Sequence, residues 1–514
     1  MPDWCEPHQR LVIQLARLGD FLQTTPLLAA LGGAAVLVAP AVAPLARASR
    51  WVRAVHLLDP DALHQAASAH EPLRLRLARL AGLVRPLGEL PVREVFCLNF
   101  SPLCAALAAA WPGVRVRGWR LAEGRLAGEP WSAFLLRLMT HRPLSRLHLC
   151  DVLASYADPA GPPLSAPDYR LEDRARQQAE ALLPPGRPRV ALQLGATHPQ
   201  RRWPLGAFAE LARYLVGRGV SLVLVGSAAE RPLGRRLQRR AGVPLADLMG
   251  RTDLSTLAGV LAACELVVSS DTGTLHLATA VGARVLGLYM GPAQVHETGP
   301  YGSGHLVLRA RESCAPCVEA RPPCGGEAPC RGRITPAVAG RAAEALLSGA
   351  TAQEAARGLE PPPEVEALAA EMDAFGQRYR RLRPVSLGVE RALALALREA
   401  GRVIMRSAYR PDPRALAAEL EGEYRPHPQE DQDLAAAARA AAVLARAAGR
   451  GDALAARRVL NQVPALQSLA GLVGPGAPPR LEAACIAAAR VLELCAGHGR
   501  CAVPPGLAQA TPGG

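Results

Sequence analysis

The sequence predicts two α/β domains followed by a helical extension, and three observations carry this prediction. Strand-like apolar runs alternate with amphipathic helical stretches in two series, and the Pro/Gly-rich residues 158–188 separate them. After about residue 335 the strand signal disappears into Ala/Leu/Arg/Glu-rich sequence. Strands that alternate with helices favour parallel sheets with helices on both faces. We therefore expect α/β domains at residues 1–165 and 185–350, and a helical extension at 360–514.

The first series opens with a strand–turn–helix unit at residues 10–31, RLVIQLARLGDFLQTTPLLAAL. Its first residues form an apolar run, and after a short polar turn the apolar residues recur at helical spacing. Further strands are predicted at 34–40 and 93–100, and helices at 71–84 and 102–111.

The second series gives the clearest pattern of the chain. Apolar strands end in small polar residues, and amphipathic helices connect them. The carboxyl ends of such strands are where α/β folds bind ligands, so two such domains suggest a ligand cleft between them. Strands are predicted at 189–196, 220–227, 264–270 and 283–290, and helices near 206–218, 229–241, 255–263 and 335–348.

Composition excludes several classes of protein. The 514 residues are 50% apolar, which is enough for globular cores, and no apolar stretch is long enough to span a membrane. The start of the chain turns polar at once, unlike a signal peptide, so we expect a cytoplasmic protein. All 59 cations are arginine, and their even spread argues against nucleic-acid binding despite the net charge of +14. Without lysine, P-loop and Schiff-base chemistries are excluded.

Four of the twelve cysteines lie together in the segment CAPCVEARPPCGGEAPC, with C-x2-C-x6-C-x5-C spacing. Four thiolates could hold a structural zinc ion, but strong zinc motifs have two tight C-x2-C knuckles. The alternative is a group of thiols or opportunistic disulfides, and neither reading gives the cysteines a catalytic role. The residues are Cys314, Cys317, Cys324 and Cys330.

The stretch SSDTGTLHLATAVG at residues 269–282 places polar side chains where a predicted strand ends and a helix begins. The first turn of a helix has free backbone N–H groups and the positive end of the helix dipole. Gly273 lets a ligand approach this backbone closely, so the stretch predicts a diphosphate site. The alternative is that Asp271 or Thr272 only caps the helix.

Three further loops follow predicted strand ends and would face the same cleft. Thr197, Arg201 and Arg202 offer a hydroxyl and guanidinium groups that suit phosphate oxygens, although arginine pairs in loops are commonly solvated. Glu230 could accept hydrogen bonds from ribose hydroxyls, or favour a helix start by its charge. Asp20 could act as a general base, or cap the helix that follows it.

Five segments occur in a characteristic order: RLGDFLQTTPLLAAL, RRWPLGAFAELARYL, LVGSAAER, DLMGRTDLSTLAGVLAACELVVSSDTGTLHLATAVG and TGPYG. In this order they resemble the motifs of the glycosyltransferase family 9 heptosyltransferases, the ADP-heptose:lipopolysaccharide heptosyltransferases and their relatives. The resemblance covers about residues 10–345; it is strongest over 189–302 and looser over 32–188. It implies a GT-B fold of two Rossmann-like domains, and inverting, metal-independent transfer from a nucleotide-diphospho-sugar without a cofactor. Relatives often carry a similar cysteine-rich segment after the core.

The resemblance also implies roles for single residues. Asp20 matches the catalytic base, and Glu230 matches the acid that holds the ribose. Met249 lies in the segment that lines the nucleobase. Thr197 and Arg201 are assigned to the donor diphosphate. Arg201 stands where the family usually has lysine, which keeps the positive charge but changes the donor geometry.

The segment from Asp271 to His276 matches the family signature D-[ST]-G-x-x-H. The resemblance assigns the donor diphosphate to the helix start at Thr272, Gly273 and Thr274, where backbone amides hold it. It assigns the donor sugar to Asp271 and His276.

The sequence therefore predicts a glycosyltransferase that moves heptose from ADP-heptose onto a cell-envelope glycan such as the lipopolysaccharide core. Expected partners are a nucleotide-diphospho-sugar donor and a lipid-linked or lipopolysaccharide-type acceptor, with peripheral contact with the inner face of the cytoplasmic membrane and no nucleic acid. Two alternatives stay open: another donor and acceptor, or a non-catalytic scaffold that binds glycans or nucleotide-sugars. The presence of Asp20 together with Asp271 argues against the scaffold.

Overall fold

A computed structural model describes most of the chain up to residue 382 and short stretches beyond it. The chain divides into two compact units, one of residues 1–129 and 148–380 and the other of residues 130–147 and 381–514. The described residues are 9–68, 73–123, 125–128, 132, 142, 145–157, 165–317, 324, 328–373, 376–382, 385–386, 394–399 and 424–425.

The first unit begins with a six-stranded sheet of order β3-β2-β1-β4-β5-β6. Its neighbours are parallel from β3 to β5, and only β5 and β6 pair antiparallel. The strands are β1 (Arg10–Gln14), β2 (Ala34–Val38), β3 (Val52–Leu57), β4 (Glu94–Cys97), β5 (Arg115–Ala122) and β6 (Arg125–Gly128). The helices are α1 (Leu18–Ala30), α2 (Ala43–Ala48), α3 (Pro60–Ser68), α4 (Leu73–Gly88), α5 (Pro102–Ala108), α6 (Leu149–Ala154) and α7 (Asp173–Leu182).

The apolar runs of the sequence become the central strands of this sheet. All residues of β1, β2 and β4 are buried, because helices cover both faces of a parallel sheet. Strand order reverses between β1 and β4, and ligands bind at such a switch point in open α/β sheets. Asp20 lies in the first turn of α1, directly after the loop from β1, so it lies at the switch point.

The second sheet of the same unit has eight strands in the order β14-β13-β12-β11-β10-β7-β8-β9. Its strands are β7 (Arg189–Gln193), β8 (Ser221–Val225), β9 (Ala246–Asp247), β10 (Leu266–Ser270), β11 (Val285–Tyr289), β12 (Leu306–Ala310), β13 (Val365–Asp373) and β14 (Gly376–Arg381). The helices are α8 (Leu205–Val216), α9 (Arg231–Ala241), α10 (Leu254–Ala262), α11 (Gly273–Ala280), α12 (Val295–Thr298), α13 (Cys330–Arg333), α14 (Pro336–Leu347) and α15 (Ala352–Gly358).

Strands β7 and β10 are neighbours inside this second sheet and form its switch point. Both are completely buried and pair in parallel. The loop after β7 carries Thr197 and Arg201, and the loop after β10 carries Asp271 and Thr272. The fold therefore brings two of the predicted phosphate-binding segments to one edge of the sheet. The predicted fold class of two α/β domains is confirmed.

The expectation that strands end near residue 335 is wrong at residues 365–381. The segment VEALAAEMD forms β13, which pairs antiparallel with β12 from Leu306↔Ala369 to Ala310↔Val365. Its Ala, Glu, Leu and Met residues have high helix propensity, but the open edge of β12 supplies hydrogen-bond partners that a helix would leave unused. The predicted domain end at residue 350 and the helical extension from residue 360 are wrong in this part.

The predicted linker at 158–188 is also only partly correct. Residues 158–164 lie outside the described residues, but α7 forms within the linker and packs closely on α10. A Cβ added to Gly259 of α10 would lie 2.6 Å from the carbonyl oxygen of Ala175 in α7, so glycine is what allows this approach.

Little of the second unit belongs to the described residues. It contains a short parallel pair of strands, β15 (Val385–Ser386) and β16 (Tyr424–Arg425). Most of the predicted extension at 360–514 lies outside the described part of the chain. Among the residues that the structure describes, no helix has the length and apolar character needed to cross a membrane.

Candidate active site

The starts of α1 and α11 lie directly against each other, which brings the two switch points together. A Cβ added to Gly19 would lie 2.8 Å from His276 Cδ2, closer than real Cβ contacts. A Cβ added to Gly273 would lie 3.6 Å from the Leu18 Cβ. Because Gly19 has no side chain, the helix that carries Asp20 can approach the helix that follows Asp271. The two predicted catalytic segments therefore face one cleft.

This cleft contains a cavity of about 380 Å³. One wall is apolar and comes from the first sheet's helices, and the other carries the polar loops of the second sheet. A cavity of this size with few polar groups suits a nucleotide-sized ligand. The lining residues are Leu18, Leu22, Leu45, Gln193, Gly226, Ser227, Glu230, Thr252, Asp253, Leu254, Leu257, Gly273, Thr274 and Leu277.

The Glu230 carboxylate lines the cavity and is held by hydrogen bonds. Its Oε2 accepts hydrogen bonds from the backbone N–H of Ser227 at 2.7 Å and from the Ser227 hydroxyl at 3.0 Å. Its Oε1 accepts from Gln193 Nε2 at 3.3 Å, and Gln193 Oε1 in turn accepts from the Thr274 hydroxyl at 3.2 Å. Gln193 thus links the predicted ribose-binding acid to the predicted diphosphate-binding helix start.

We expect Gly195→Ala to weaken nucleotide binding, because a Cβ at this position would lie 1.4 Å from Glu230 Oε1. The carboxylate must move away, and the hydrogen bonds to it are lost. A hydrogen bond to a charged group is worth enough for a loss of roughly 10- to 100-fold in ADP affinity, measured by titration calorimetry. Gly358→Ala is the matched control, since no atom lies within 4 Å of its added Cβ. Equal ADP affinity in both variants would contradict this view of Glu230.

An ion pair joins the two loops at the centre of the second sheet. Arg201, at the end of the 3₁₀ turn Pro199–Arg201, donates from Nη1 to Asp271 Oδ2 at 2.7 Å. Asp271 is buried, whereas the Arg201 side chain is 21% exposed and can still reach a ligand in the cleft. The Thr298 hydroxyl donates to the same Asp271 oxygen at 3.1 Å. Asp271 is therefore held by donors from two other segments of the chain.

His276 lies between the two carboxylates and is neutral at neutral pH. Burial lowers its pKa to about 4, opposed by the nearby Asp20 carboxylate and reinforced by Arg201. Its Nε2 lies 3.8 Å from Asp271 Oδ1, beyond hydrogen-bond distance. Asp20 is half-buried, and its Oδ2 accepts from the backbone N–H of Arg17 at 3.0 Å. Asp20 therefore makes a helix-capping contact, which was the alternative to its role as a general base.

The first turn of α11 is available to an anion. Thr272 is its N-cap residue, but its side chain makes no cap hydrogen bond and instead lies 3.1 Å from the Ser269 hydroxyl. Gly273 and Thr274 line the cavity. The free N–H groups of this turn, the dipole of the eight-residue helix and the Arg201 guanidinium together favour a negatively charged ligand.

Of the predicted site residues, Glu230, Gly273 and Thr274 line the cavity, and the others lie outside its lining. Met249 is buried, its sulfur faces Gly234, and its carbonyl oxygen accepts from Arg231 Nε at 2.9 Å. Thr197 is exposed in the loop after β7. Thr252 and Leu254, a few residues after Met249, line the cavity instead.

The four clustered cysteines are free thiols. Burial raises the pKa of Cys317, and the neighbouring Cys314 and Cys330 raise it further. The sulfurs of Cys317 and Cys330 both pack against Gly291. In the part of the chain that the structure describes, which includes all four, no group of three or more Cys, His, Asp or Glu side chains is arranged to hold a metal ion.

Buried histidines make stability depend on pH. Burial lowers the pKa of His276 and His305 to about 4 and that of His148 to about 3. His148 Nδ1 accepts from the backbone N–H of Cys150, so protonation of this nitrogen would break a hydrogen bond. The unfolded chain takes up these protons near pH 6.5, whereas the folded chain resists them.

We therefore expect the free energy of unfolding to be highest above about pH 6.5 and to fall as the pH drops toward 4. Each buried histidine contributes on the order of 3 kcal/mol to this fall. Urea unfolding at intervals from pH 7.5 to 4.5 measures it, and His305→Asn is expected to reduce the slope. The exposed His64 serves as the control through His64→Gln. Identical slopes for the wild type and His305→Asn would refute the assignment.

Several residues of this site could not be recognised from the amino-acid pattern. Gln193 is the last residue of a buried strand, and Thr298 lies 27 residues from the carboxylate that it contacts. Leu22 and Leu45 are spaced like ordinary core residues, yet they form the apolar wall of the cavity. A polar side chain at the end of a buried strand, as at Gln193, is the one pattern that could have indicated a ligand site.

The fold and this cleft together define a class. Two Rossmann-like sheets meet at their switch points around a cavity, and an arginine and a helix start lie nearby. This is the two-domain architecture of the GT-B fold.

Comparison with known proteins identifies one matching family. Residues 105–326 match the sequence model of glycosyltransferase family 9 (heptosyltransferase). The match covers less than half of the chain, and Asp20 lies outside it.

Curated relatives are lipopolysaccharide heptosyltransferases. The chain is 37% identical over 158 residues to lipopolysaccharide heptosyltransferase 1 of Pseudomonas aeruginosa, covering 30% of this chain and 42% of the relative. It is 32% identical over 128 residues to lipopolysaccharide heptosyltransferase 2 of Escherichia coli, covering 24% and 36%. The chain thus spans about two fifths of the length of the curated relatives that it matches.

Solved structures share the fold over a longer stretch. A family 9 glycosyltransferase from Veillonella parvula superposes with a TM-score of 0.55 at 18% identity, covering 67% of this chain and 98% of that one. ADP-heptose lipopolysaccharide heptosyltransferase II of E. coli superposes with a TM-score of 0.50 at 20% identity, covering 66% and 98%. At these identities the likeness establishes the fold.

Proposed function

We propose that the protein is an inverting, metal-independent glycosyltransferase that moves heptose from ADP-heptose onto the lipopolysaccharide core. The observation that carries the proposal is the close approach of the starts of α1 and α11, which brings Asp20 near His276 and near the segment that begins with the Arg201–Asp271 ion pair. Family 9 sequence over residues 105–326 and relatives named as lipopolysaccharide heptosyltransferases support the donor and acceptor classes.

The donor would lie along the cleft with its nucleoside in the cavity. Glu230, tucked against Gly195, would accept hydrogen bonds from ribose hydroxyls. The leucines of the opposite wall would pack on the apolar faces of the nucleoside. The diphosphate would then reach the first turn of α11 at Gly273 and Thr274, which line the cavity and whose backbone N–H groups would donate to it.

The reaction is a single displacement. An acceptor hydroxyl attacks the anomeric carbon of the donor sugar and forms the new C–O bond, while Asp20 takes the hydroxyl proton. The bond between the anomeric carbon and the diphosphate oxygen breaks, and its electron pair leaves with the nucleotide diphosphate. The acceptor enters opposite the leaving group, so the configuration inverts.

Residues of this chain would stabilise the negative charge on the leaving group. Arg201 bonds Asp271 through Nη1, and its guanidinium would place a positive charge beside the diphosphate oxygens. The positive end of α11 adds to this stabilisation. The two together supply the preorganised charge that a departing diphosphate needs. His276 is neutral at working pH and adds no repulsion toward Arg201.

Thermal unfolding with a panel of nucleotide-sugars tests the donor. Because a ligand that binds the folded state raises the melting temperature, ADP-heptose should stabilise the protein more than UDP-glucose or GDP-mannose. The effect should disappear in Glu230→Ala and persist in Glu210→Ala, which removes an exposed acid on α8. Stabilisation by UDP- or GDP-sugars alone would overturn the proposed donor.

A further inference from the structure

The segment TGPYG at residues 298–302 borders the site, but the proposed reaction gives it no role. Thr298 is half-buried at the end of α12, and its hydroxyl lies 3.1 Å from Asp271 Oδ2. The same oxygen accepts from Arg201 Nη1 at 2.7 Å. The Thr298 hydroxyl and the Arg201 guanidinium, which belong to different segments of the chain, thus both donate to Asp271 Oδ2. The other oxygen, Oδ1, is the one nearer to His276, at 3.8 Å from its Nε2.

The Thr298 hydroxyl has a second acceptor within reach, the Gln294 carbonyl oxygen at 3.3 Å. The carboxylate is closer and carries the charge, so it is the stronger acceptor for the single hydroxyl proton. Asp271 is 7% exposed, and in such surroundings a hydrogen bond to a charged group is worth more than in water. The contact with Thr298 therefore contributes to the orientation of the carboxylate.

The backbone around Thr298 is fixed from both sides. Its carbonyl oxygen accepts from the hydroxyl of Tyr289 at 2.7 Å, and Tyr289 is fully buried at the end of β11. The next carbonyl oxygen, that of Gly299, lies 3.0 Å from His148 Nε2. With its backbone held at both positions, Thr298 presents its hydroxyl to Asp271 before any ligand arrives.

We propose that Thr298 is a positioning residue, which holds Asp271 Oδ2 so that Oδ1 meets a hydroxyl of the donor sugar. This proposal rests on the proposed function, because it takes Asp271 as the residue that contacts the sugar. Without Thr298 the carboxylate keeps the Arg201 bond but can turn about it. The sugar then loses its acceptor, whereas the nucleotide diphosphate keeps its contacts at Glu230 and the α11 start.

Titration calorimetry with ADP-heptose and with ADP, without acceptor, tests this assignment. Thr298→Val keeps the shape of the side chain and removes its hydroxyl; we expect roughly tenfold weaker ADP-heptose binding and unchanged ADP binding. Thr298→Ser, which restores the hydroxyl, is expected to recover the affinity for ADP-heptose. Thr279→Val is the matched control, because the Thr279 hydroxyl bonds the His276 carbonyl oxygen and is buried within α11.

The outcomes separate the two proposals. If the wild type binds ADP-heptose and Thr298→Val binds it equally well, Thr298 does not position Asp271 and only this inference fails. Equal weakening of ADP and ADP-heptose, or no recovery in Thr298→Ser, indicates a general structural defect and also overturns it. If the wild type binds ADP but not ADP-heptose, the proposed donor fails and this inference falls with it.

Discussion

Asp20→Asn is expected to lower kcat for sugar transfer by roughly 10²- to 10⁴-fold, the usual contribution of a general base. The amide cannot take the acceptor proton, but it keeps the size of the side chain and can still accept from the Arg17 N–H through its oxygen. Donor binding should therefore change little. Steady-state transfer rates and ADP-heptose titration on the same protein samples measure the two quantities.

Asp173→Asn is the matched control for this experiment. Asp173 is an exposed acid in the first turn of α7, so its substitution removes the same charge from a comparable helix position. We expect wild-type turnover. Full activity in Asp20→Asn would contradict the assignment of Asp20 as the base. A loss of donor affinity equal to the loss of rate would show that Asp20 binds the donor instead.

Arg201→Met is expected to reduce kcat/KM by about 10²- to 10³-fold, since it removes preorganised charge from the leaving group. It also leaves the buried Asp271 without its closest charged partner, and breaking such a pair costs roughly 3 kcal/mol of folding stability. Arg201→Lys should recover part of both losses, because an ammonium group keeps the charge but cannot make two fork contacts. Transfer kinetics and urea unfolding are the measurements.

Arg218→Met is the control for Arg201→Met. Arg218 also makes a 2.8 Å ion pair, with Glu344, but both side chains are about half exposed. Exposed pairs contribute about 0–1 kcal/mol, so stability and kinetics should stay close to the wild type. If Arg201→Met matched this control in both measurements, the ion pair with Asp271 would have neither of its assigned roles.

The sequence indicated the site residues through their places at strand ends, but not their pairing. Asp271 and Arg201 were assigned to different parts of the donor, and their mutual ion pair spans 70 residues of chain. Such contacts depend on which strands become neighbours, and a local sequence pattern does not specify the order of the strands. The contact of Thr298 with Asp271 could not be predicted for the same reason. Its hydroxyl resembles that of any helix residue until the fold brings α12 next to the end of β10.

The alternating strands and helices predicted both sheets because their buried strands are apolar on both faces. The observed helices α8, α10 and α14 lie within two residues of the predicted bounds. The failure at β13 has a physical cause: its alanine-rich sequence favours a helix, and only the unpaired edge of β12 makes it a strand. Propensity is a local quantity, whereas an open sheet edge is a property of the assembled fold.

The most direct test of the central claim is the mass of the acceptor after reaction. Lipopolysaccharide from a heptose-deficient strain is incubated with ADP-heptose and the protein, and analysed by mass spectrometry. The account predicts a gain of one heptosyl residue with the wild type and Asp173→Asn, and a strongly reduced gain with Asp20→Asn. An unchanged acceptor mass with the wild type, while ADP-heptose is bound, would contradict the claim that this cleft transfers heptose to that acceptor.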